Sequence, residues 1–394
     1  MSTQISPLVA LNILSACQTA GYGVLFTVVG DFRAAYGISD AGVGLIIGVG
    51  FLAGFLSQVF IAPIADRGRA RIVVILGVVL NIIGLVLMAF GTSLVALLIG
   101  RIISGLGIGA ASPALRRLVI FVDRDNLGEN LGRLLSWEVF GFAIGPVVSA
   151  ILVGPFGLAS PFLVIAAVTL LGLVLALALA PEESDDAETT TKRLALDLLR
   201  LRPVAGAVML GAAVYLMIGT FDALWDVVHE DLGTATWVAN LGISLFALPL
   251  IVFGPLSGRL AQRHGPFRIA SLGLVIAACF MASYGVLPSG GWIFAIAMIH
   301  AFTDGLTVSA SGIAIAMSAP LDRQAGAQGV AGAANALIAG IAAIGIGWLY
   351  GEQGRPAAYA VTALGMLVLV GLGMTLAKSF WRADAHITSP LAEV

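Results

Sequence analysis

Apolar residues run through this chain in long unbroken stretches, not at the alternating spacing of a strand or the one-sided spacing of a soluble helix. A helix needs about 20 apolar residues to cross the hydrocarbon of a bilayer. Twelve such runs are present, at about 8–29, 40–62, 72–91, 93–115, 134–155 and 160–180, then at about 204–227, 236–258, 269–287, 291–316, 327–350 and 356–378. Lipid offers no partner to an open backbone group, so runs of this length predict helices. The expected fold class is an all-α membrane protein with twelve transmembrane helices.

The polar interruptions organise these runs. Residues 62–71 carry Asp66, Arg67, Arg69 and Arg71 between two apolar runs. Each charge would cost about 2.5–3.5 kcal/mol at the bilayer centre, so this hairpin lies outside the hydrocarbon. A similar pattern returns at 258–268, where Arg263 stands 196 positions after Arg67 in a chain of 394 residues. Half the chain length separates the two copies, which predicts a duplicated membrane unit. The longest polar stretch, 181–203, falls between them. Its first part is acidic and rich in Thr; its second part, 192–202, is apolar and basic and reads either as a short helix on the membrane surface or as a plain tether. The expected organisation is an N-terminal six-helix bundle at 1–180, a cytoplasmic linker at 181–203 and a C-terminal six-helix bundle at 204–394.

Composition agrees and adds an orientation. Hydrophobic residues make up 59% of the chain and charged residues 11%, against about 25% charged in a soluble domain. Seventeen of the twenty Lys and Arg fall in segments on one side: three in 63–71, four in 116–133, four in 181–203, three in 259–268, one in 317–326 and two from Lys378 onward. Basic loops stay cytoplasmic, so both termini are expected inside, in a multi-pass protein of the cell inner (plasma) membrane. The first seven residues carry no basic cluster and no cleavage pattern, so the first span is expected to be retained. The net charge of −2 says nothing about partners; the partners expected are a small molecule, protons and the lipid bilayer, with no nucleic acid. Cys17 and Cys279 stand far apart within spans and read as packing residues, and four His give no metal-ligand spacing. No phosphate-binding Gly-Lys-Ser/Thr loop interrupts the spans, so neither ATP nor any other cofactor is expected.

The hairpin at 62–71 resembles the loop motif G-x-x-x-D-R-x-G-R-[RK] of the major facilitator superfamily, between its second and third spans. Asp66, Arg67 and Arg71 match, while Ala62, Arg69 and Ala70 replace two glycines and a base. Gly258, Arg263, Gly265 and Arg268 repeat it in the second half, with Gln262 in place of the acid. In span four, Arg101 with Gly105, Gly107 and Gly109 is similar to R-x-x-x-G-x-G of the drug/proton antiporter branch, and Gly141, Gly145 and Pro146 in span five are similar to its G-x-x-x-G-P, although Ser149-Ala150 stands where that motif closes with Gly-Gly. The prolines usual in span one of that branch are absent. The resemblance implies two bundles related by a pseudo-twofold axis, alternating access, and a cytoplasmic gate in which Asp66, Arg67, Arg71, Arg263 and Arg268 latch the inner side. Topology signalling alone would need the arginines but not Asp66.

Charges inside spans are candidate functional residues. Asp304 lies near the middle of span ten, with His300 one turn earlier on the same face. A carboxylate and an imidazole held together away from water can pass a proton. Arg101 in span four cannot lose its proton and can act as a fixed counter-charge or as a structural group bonded to carbonyls. Glu138 stands near the cytoplasmic end of span five, either at a cavity or at the interface. Asp222 and Asp226 sit four apart near the outer end of span seven and would titrate as a pair; Asp31 reads as a solvated boundary residue. Tyr22, Trp137, Phe140, Phe221 and Trp225 are candidates to line a substrate cavity, or members of the aromatic belts. The function expected is a secondary transporter, not an enzyme, acting as a monomer that exports a small amphipathic or hydrophobic molecule in exchange for protons. Proton-coupled uptake of a metabolite is the alternative, and a non-transporting membrane sensor a more distant one.

Overall fold

The computed structural model describes residues 6–38, 40–179 and 193–378. Among these there are helices and no strand. The first half contributes α1 (Pro7–Tyr36), α2 (Asp40–Phe60), α3 (Ala70–Phe90), α4 (Leu94–Val122), α5 (Leu127–Phe156) and α6 (Ala159–Leu179). The second half contributes α7 (Arg202–Asp231), α8 (Thr236–His264), α9 (Pro266–Tyr284), α10 (Gly290–Ser318) and α11 (Gln324–Leu376). α11 is two helices in one: Gly354, at φ +76°, breaks it just before Pro356, between the eleventh and twelfth apolar runs. Among the described residues, ten stretches are long and apolar enough to cross a bilayer, and one of them, Leu321–Leu376, is long enough to do so twice. α6 adds the remaining apolar helix, giving the twelve runs read from the pattern.

Several helices outrun their apolar windows. α5 starts at Leu127 and α8 continues to His264, so Arg259 and Arg263 lie on a helix, not in a hairpin. The first copy of the basic segment does form a turn, a 3₁₀ stretch at Ala62–Arg67. In the linker, 193–195 is irregular and only Leu196–Arg200 is helical, as a single 3₁₀ turn. The described part of this segment is not one surface helix: Arg323 Nη2 donates to the Leu194 carbonyl at 2.7 Å, and Ala195 is buried against Gly326. Residues 180–192 lie outside the described residues.

The duplication is visible in bonds and not only in helix count. Ser57 Oγ donates to the Leu106 carbonyl at 2.7 Å, and Ser257 Oγ donates to the Leu306 carbonyl at 2.6 Å. Ser93 caps α4 by accepting the Ala96 N–H, and Ser289 caps α10 by accepting the Trp292 N–H. Gly37 and Gly233, at φ +66° and +59°, lie between α1 and α2 and between α7 and α8. These pairs recur at 196–200 positions' separation.

Two compact units result: Met1–Arg124 with Trp137–Ala195 and Leu321–Gly329, and Asp125–Ser136 with Leu196–Pro320 and Val330–Val394. The core of the first unit joins Leu25, Val28 and Phe32 of α1 to Leu85 of α3 and Phe162 of α6, with the Phe32 and Phe162 rings stacked at 6.2 Å. Elsewhere glycines replace large side chains. A Cβ on Gly105 would lie 2.4 Å from the Gly50 carbonyl oxygen, and one on Gly109 2.5 Å from that of Gly54. Lipid provides no hydrophobic drive between helices, so such backbone approaches supply the packing. Cys17 is buried as expected; Cys279 is exposed, on a face of α9 that packing leaves open.

Candidate functional site

Four groups of polar side chains stand out, two in each unit. The first surrounds Asp66 at the end of the 3₁₀ turn. Its Oδ1 accepts from Arg117 Nη1 at 3.0 Å and from the Ala325 N–H at 2.8 Å, and its Oδ2 accepts from the Gly326 N–H at 2.6 Å. The carboxylate therefore caps the start of α11, where orphan N–H groups and the helix dipole favour negative charge. Arg117 also donates to the Leu321 carbonyl and lies over the Phe121 ring. Both members of the ion pair are about 1–2% exposed. Arg71 Nη2 donates to the Leu177 carbonyl at 2.8 Å, closing the end of α6. Arg67 is half-buried.

The second unit builds the same cap without charge. Gln262, 196 positions after Asp66, accepts the Gly128 N–H at 2.7 Å and donates to the Asp125 carbonyl at 2.8 Å, at the start of α5. α5 and α8 lie close beside it: a Cβ on Gly258 would sit 1.8 Å from the Gly128 carbonyl oxygen. Glu129 pairs with Arg133 at 2.6 Å and with Arg259 at 3.4 Å. Arg263 and Arg268 are exposed. Because this cap is neutral, Gln262→Ala is expected to cost about 1 kcal/mol, an ordinary cap loss, read as a small fall in the melting midpoint of the purified protein.

The third group is the interior of the second unit. His300 and Asp304, one turn apart on α10, are 0% and 2% exposed, with Nε2 to Oδ1 at 3.5 Å. The Tyr284 hydroxyl lies 3.0 Å from His300 Nδ1. Phe280 stacks on the imidazole at 4.9 Å, Phe246 meets it edge-on at 5.7 Å, and Phe221 lies at 6.3 Å. Asp304 Oδ2 and His300 Nε2 have no hydrogen-bond partner. The two predicted residues are thus together, inside an aromatic shell. Trp225 is buried, stacked on Phe221 at 5.2 Å and against His229 at 4.4 Å. Asp222 is exposed; the Asp226 side chain lies outside the described residues.

In the first unit, α1 turns a polar stripe inward: Asn12, Ser15, Gln18 and Tyr22, spaced three or four apart. Gln18 Oε1 accepts from Asn81 Nδ2 at 3.1 Å, and Asn81 Oδ1 accepts from Ser104 Oγ at 2.7 Å. One turn along, Arg101 lies 4.6 Å from the Tyr22 ring centroid and is 3% exposed. Glu138 pairs with Arg116 at 2.8 Å and lies 3.3 Å from Ser15 Oγ, so its cation is Arg116, not Arg101. Trp137 and Phe140 meet edge-on at 6.0 Å, with Phe140 exposed. The span-five motif acts through backbone approach: a Cβ on Gly141 would lie 2.0 Å from the Ala16 carbonyl oxygen, and one on Gly145 2.5 Å from the Val24 nitrogen. Asp31 is exposed.

Sequence reasoning missed Arg117, Gln18, Asn81 and His229. The signal available for two of them was a lone amide in an apolar run, Asn81 in α3 and Gln18 in α1. Arg117 looked like one more loop base beside Arg116. His229 accompanies Trp225 at the same helix end, with Nδ1 3.1 Å from Thr234 Oγ1.

The family model described as Major Facilitator Superfamily matches residues 11–237 and 206–385. The synaptic vesicular amine transporter of Rattus norvegicus is 26% identical over 272 residues, covering 65% of this chain and 52% of that one. The multidrug resistance protein MdtG of Serratia proteamaculans is 24% identical over 281 residues, covering 68% and 67%. The chain spans about half the length of the vesicular amine transporters it matches. Among solved structures, the human organic anion transporter MFSD10 (TETRAN) superposes with a TM-score of 0.78 at 15% identity, over 93% of this chain and 98% of that one. The E. coli fucose:proton symporter FucP superposes at 0.77 with 16% identity, over 94% and 98%. At such identities these structures share the fold alone.

Proposed function

This chain belongs to the Major Facilitator Superfamily, and on that premise we propose that it is a secondary transporter that exports a small amphipathic or hydrophobic compound in exchange for protons. The observation that carries the reading is the His300–Asp304 pair, sealed within an aromatic shell on α10 with one carboxylate oxygen unpartnered. Ionisable groups at membrane depth mark proton or substrate routes, and an acid beside an imidazole can take up a proton and release it. The close seat of α5 on α1 at Gly141 and Gly145 supports export, through the span-five resemblance. Relatives named for multidrug resistance and for vesicular amines support an amphipathic substrate. The two six-helix halves at 1–180 and 204–394, joined by the linker at 181–203, alternate access to a central site. The Asp66 cluster acts as the cytoplasmic gate, helped by Arg67, Arg71, Arg263 and Arg268. The protein acts as a monomer in the cell inner membrane, with both termini cytoplasmic and without a cofactor.

Proteoliposomes loaded with an amphipathic fluorescent dye test this. An antiporter speeds dye exit when the outside is acidified, because protons enter as dye leaves. A symporter speeds exit when the inside is acidified. No response to either gradient overturns proton coupling.

A further inference from the structure

The buried polar node on α1, α3 and α4 has donors without acceptors. Asn81 Nδ2 faces two oxygens that only accept, Gln18 Oε1 at 3.1 Å and the Gln18 backbone carbonyl at 3.5 Å. That fixes the Asn81 amide, and Asn81 Oδ1 then takes the Ser104 hydroxyl. The relay is therefore directional, and it ends at Gln18 Nε2, which is buried with no acceptor. One turn along both helices, the Arg101 guanidinium lies over Tyr22, and its Nε is also buried with no acceptor. Among the described residues no carboxylate lies within ion-pair distance of Arg101; Glu138 of α5 is held by Arg116. Nε faces Gly50 of α2, where a Cβ would come within 2.1 Å. The absence of a side chain at Gly50 is what admits the guanidinium, which fills that space.

A permanent cation at membrane depth needs a counter-charge or a set of oxygens, and a buried amide donor needs an acceptor. Gln18 and Tyr22 are one turn apart on α1, and Arg101 and Ser104 are one turn apart on α4. Both unsatisfied donors thus lie at neighbouring levels of the same helix pair. We propose that this node is an anion-binding site, in which Arg101 and Gln18 together hold a small hydrogen-bond-accepting anion: a carboxylate carried by a substrate, or a resident inorganic anion. Asn81 and Ser104 position the Gln18 amide and do not touch the ligand. The site lies within the first unit and does not depend on the direction of transport or on Asp304.

The test uses the full chain in nanodiscs, with melting followed by tryptophan fluorescence. Sodium chloride and sodium acetate are titrated separately against sodium gluconate of matched ionic strength, whose bulky anion does not fit between helices. The wild type is expected to show a saturable rise of about 2–4 °C with at least one of the two. A response to acetate alone assigns the site to a substrate carboxylate; a response to chloride assigns it to an inorganic ion. Arg101→Gln is expected to lose the response. Gln18→Glu supplies the missing anion from the chain itself, so it should lose the response and melt above the wild type in gluconate. Should Arg101→Gln fail to fold, Gln18→Glu decides alone. A flat wild-type response to both salts, or an undiminished response in Gln18→Glu, overturns the assignment.

Discussion

Asp304→Asn is expected to remove the pH-driven component of transport while leaving substrate exchange at equal pH largely intact. The substitution keeps the side chain's shape inside the shell of Phe246, Phe280 and Tyr284 around His300, and it keeps a hydrogen-bonding group beside Nε2. It removes only the exchangeable proton. A coupling free energy of about 1–3 kcal/mol between proton and substrate corresponds to a factor of about 5–150 in affinity, and its loss should bring dye exit under a pH jump down to the rate without one. The comparison is made in proteoliposomes, between dye exit under a pH jump and dye exchange without one. Equal losses in both would show that Asp304 is a packing residue. An unaltered driven flux would place the proton route elsewhere, and Glu138 would be the next carboxylate to examine, since Arg116 holds it 2.8 Å away.

The second large effect is expected at Asp66. Asp66→Asn leaves the Arg117 guanidinium buried without its anion, and it replaces one of the oxygens that cap α11 by a donor facing an N–H. Breaking a buried pair by removing one partner costs about 3–5 kcal/mol, because the remaining charge stays uncompensated. The melting midpoint should fall by several degrees, much more than for Gln262→Ala at the neutral cap. Asp66→Asn combined with Arg117→Met should recover part of the loss, since the stranded charge is gone. If the loop served only as a cytoplasmic charge signal, Asp66→Asn would melt with the wild type, because all its arginines remain.

Asp66 and Gln262 also show how far the chain's pattern reaches. Their separation of 196 residues is legible in the sequence, and it marks equivalent places in two copies of one helical unit. Nothing in that pattern says that each side chain caps a helix distant in the chain. The pattern at His300 and Asp304 reaches further, because a four-residue step on one helix is itself a contact. Their enclosure by Phe246, Phe280 and Tyr284 comes from α8 and α9, and spacing along α10 is silent about it.

The sequence by itself determined what hydration and helix geometry decide residue by residue: which runs enter lipid, where the repeat begins again, and which charges are stranded at membrane depth. Tertiary structure alone decided who meets whom. Arg116 and Arg117 are adjacent bases in the chain, yet one pairs with Glu138 and the other with Asp66. Successive residues on a helix point about 100° apart, and which helix lies on each side is settled by packing. The same holds for Arg101, whose charge is plain in the sequence and whose Nε, buried without an acceptor, is visible only once α1, α2 and α4 are in place.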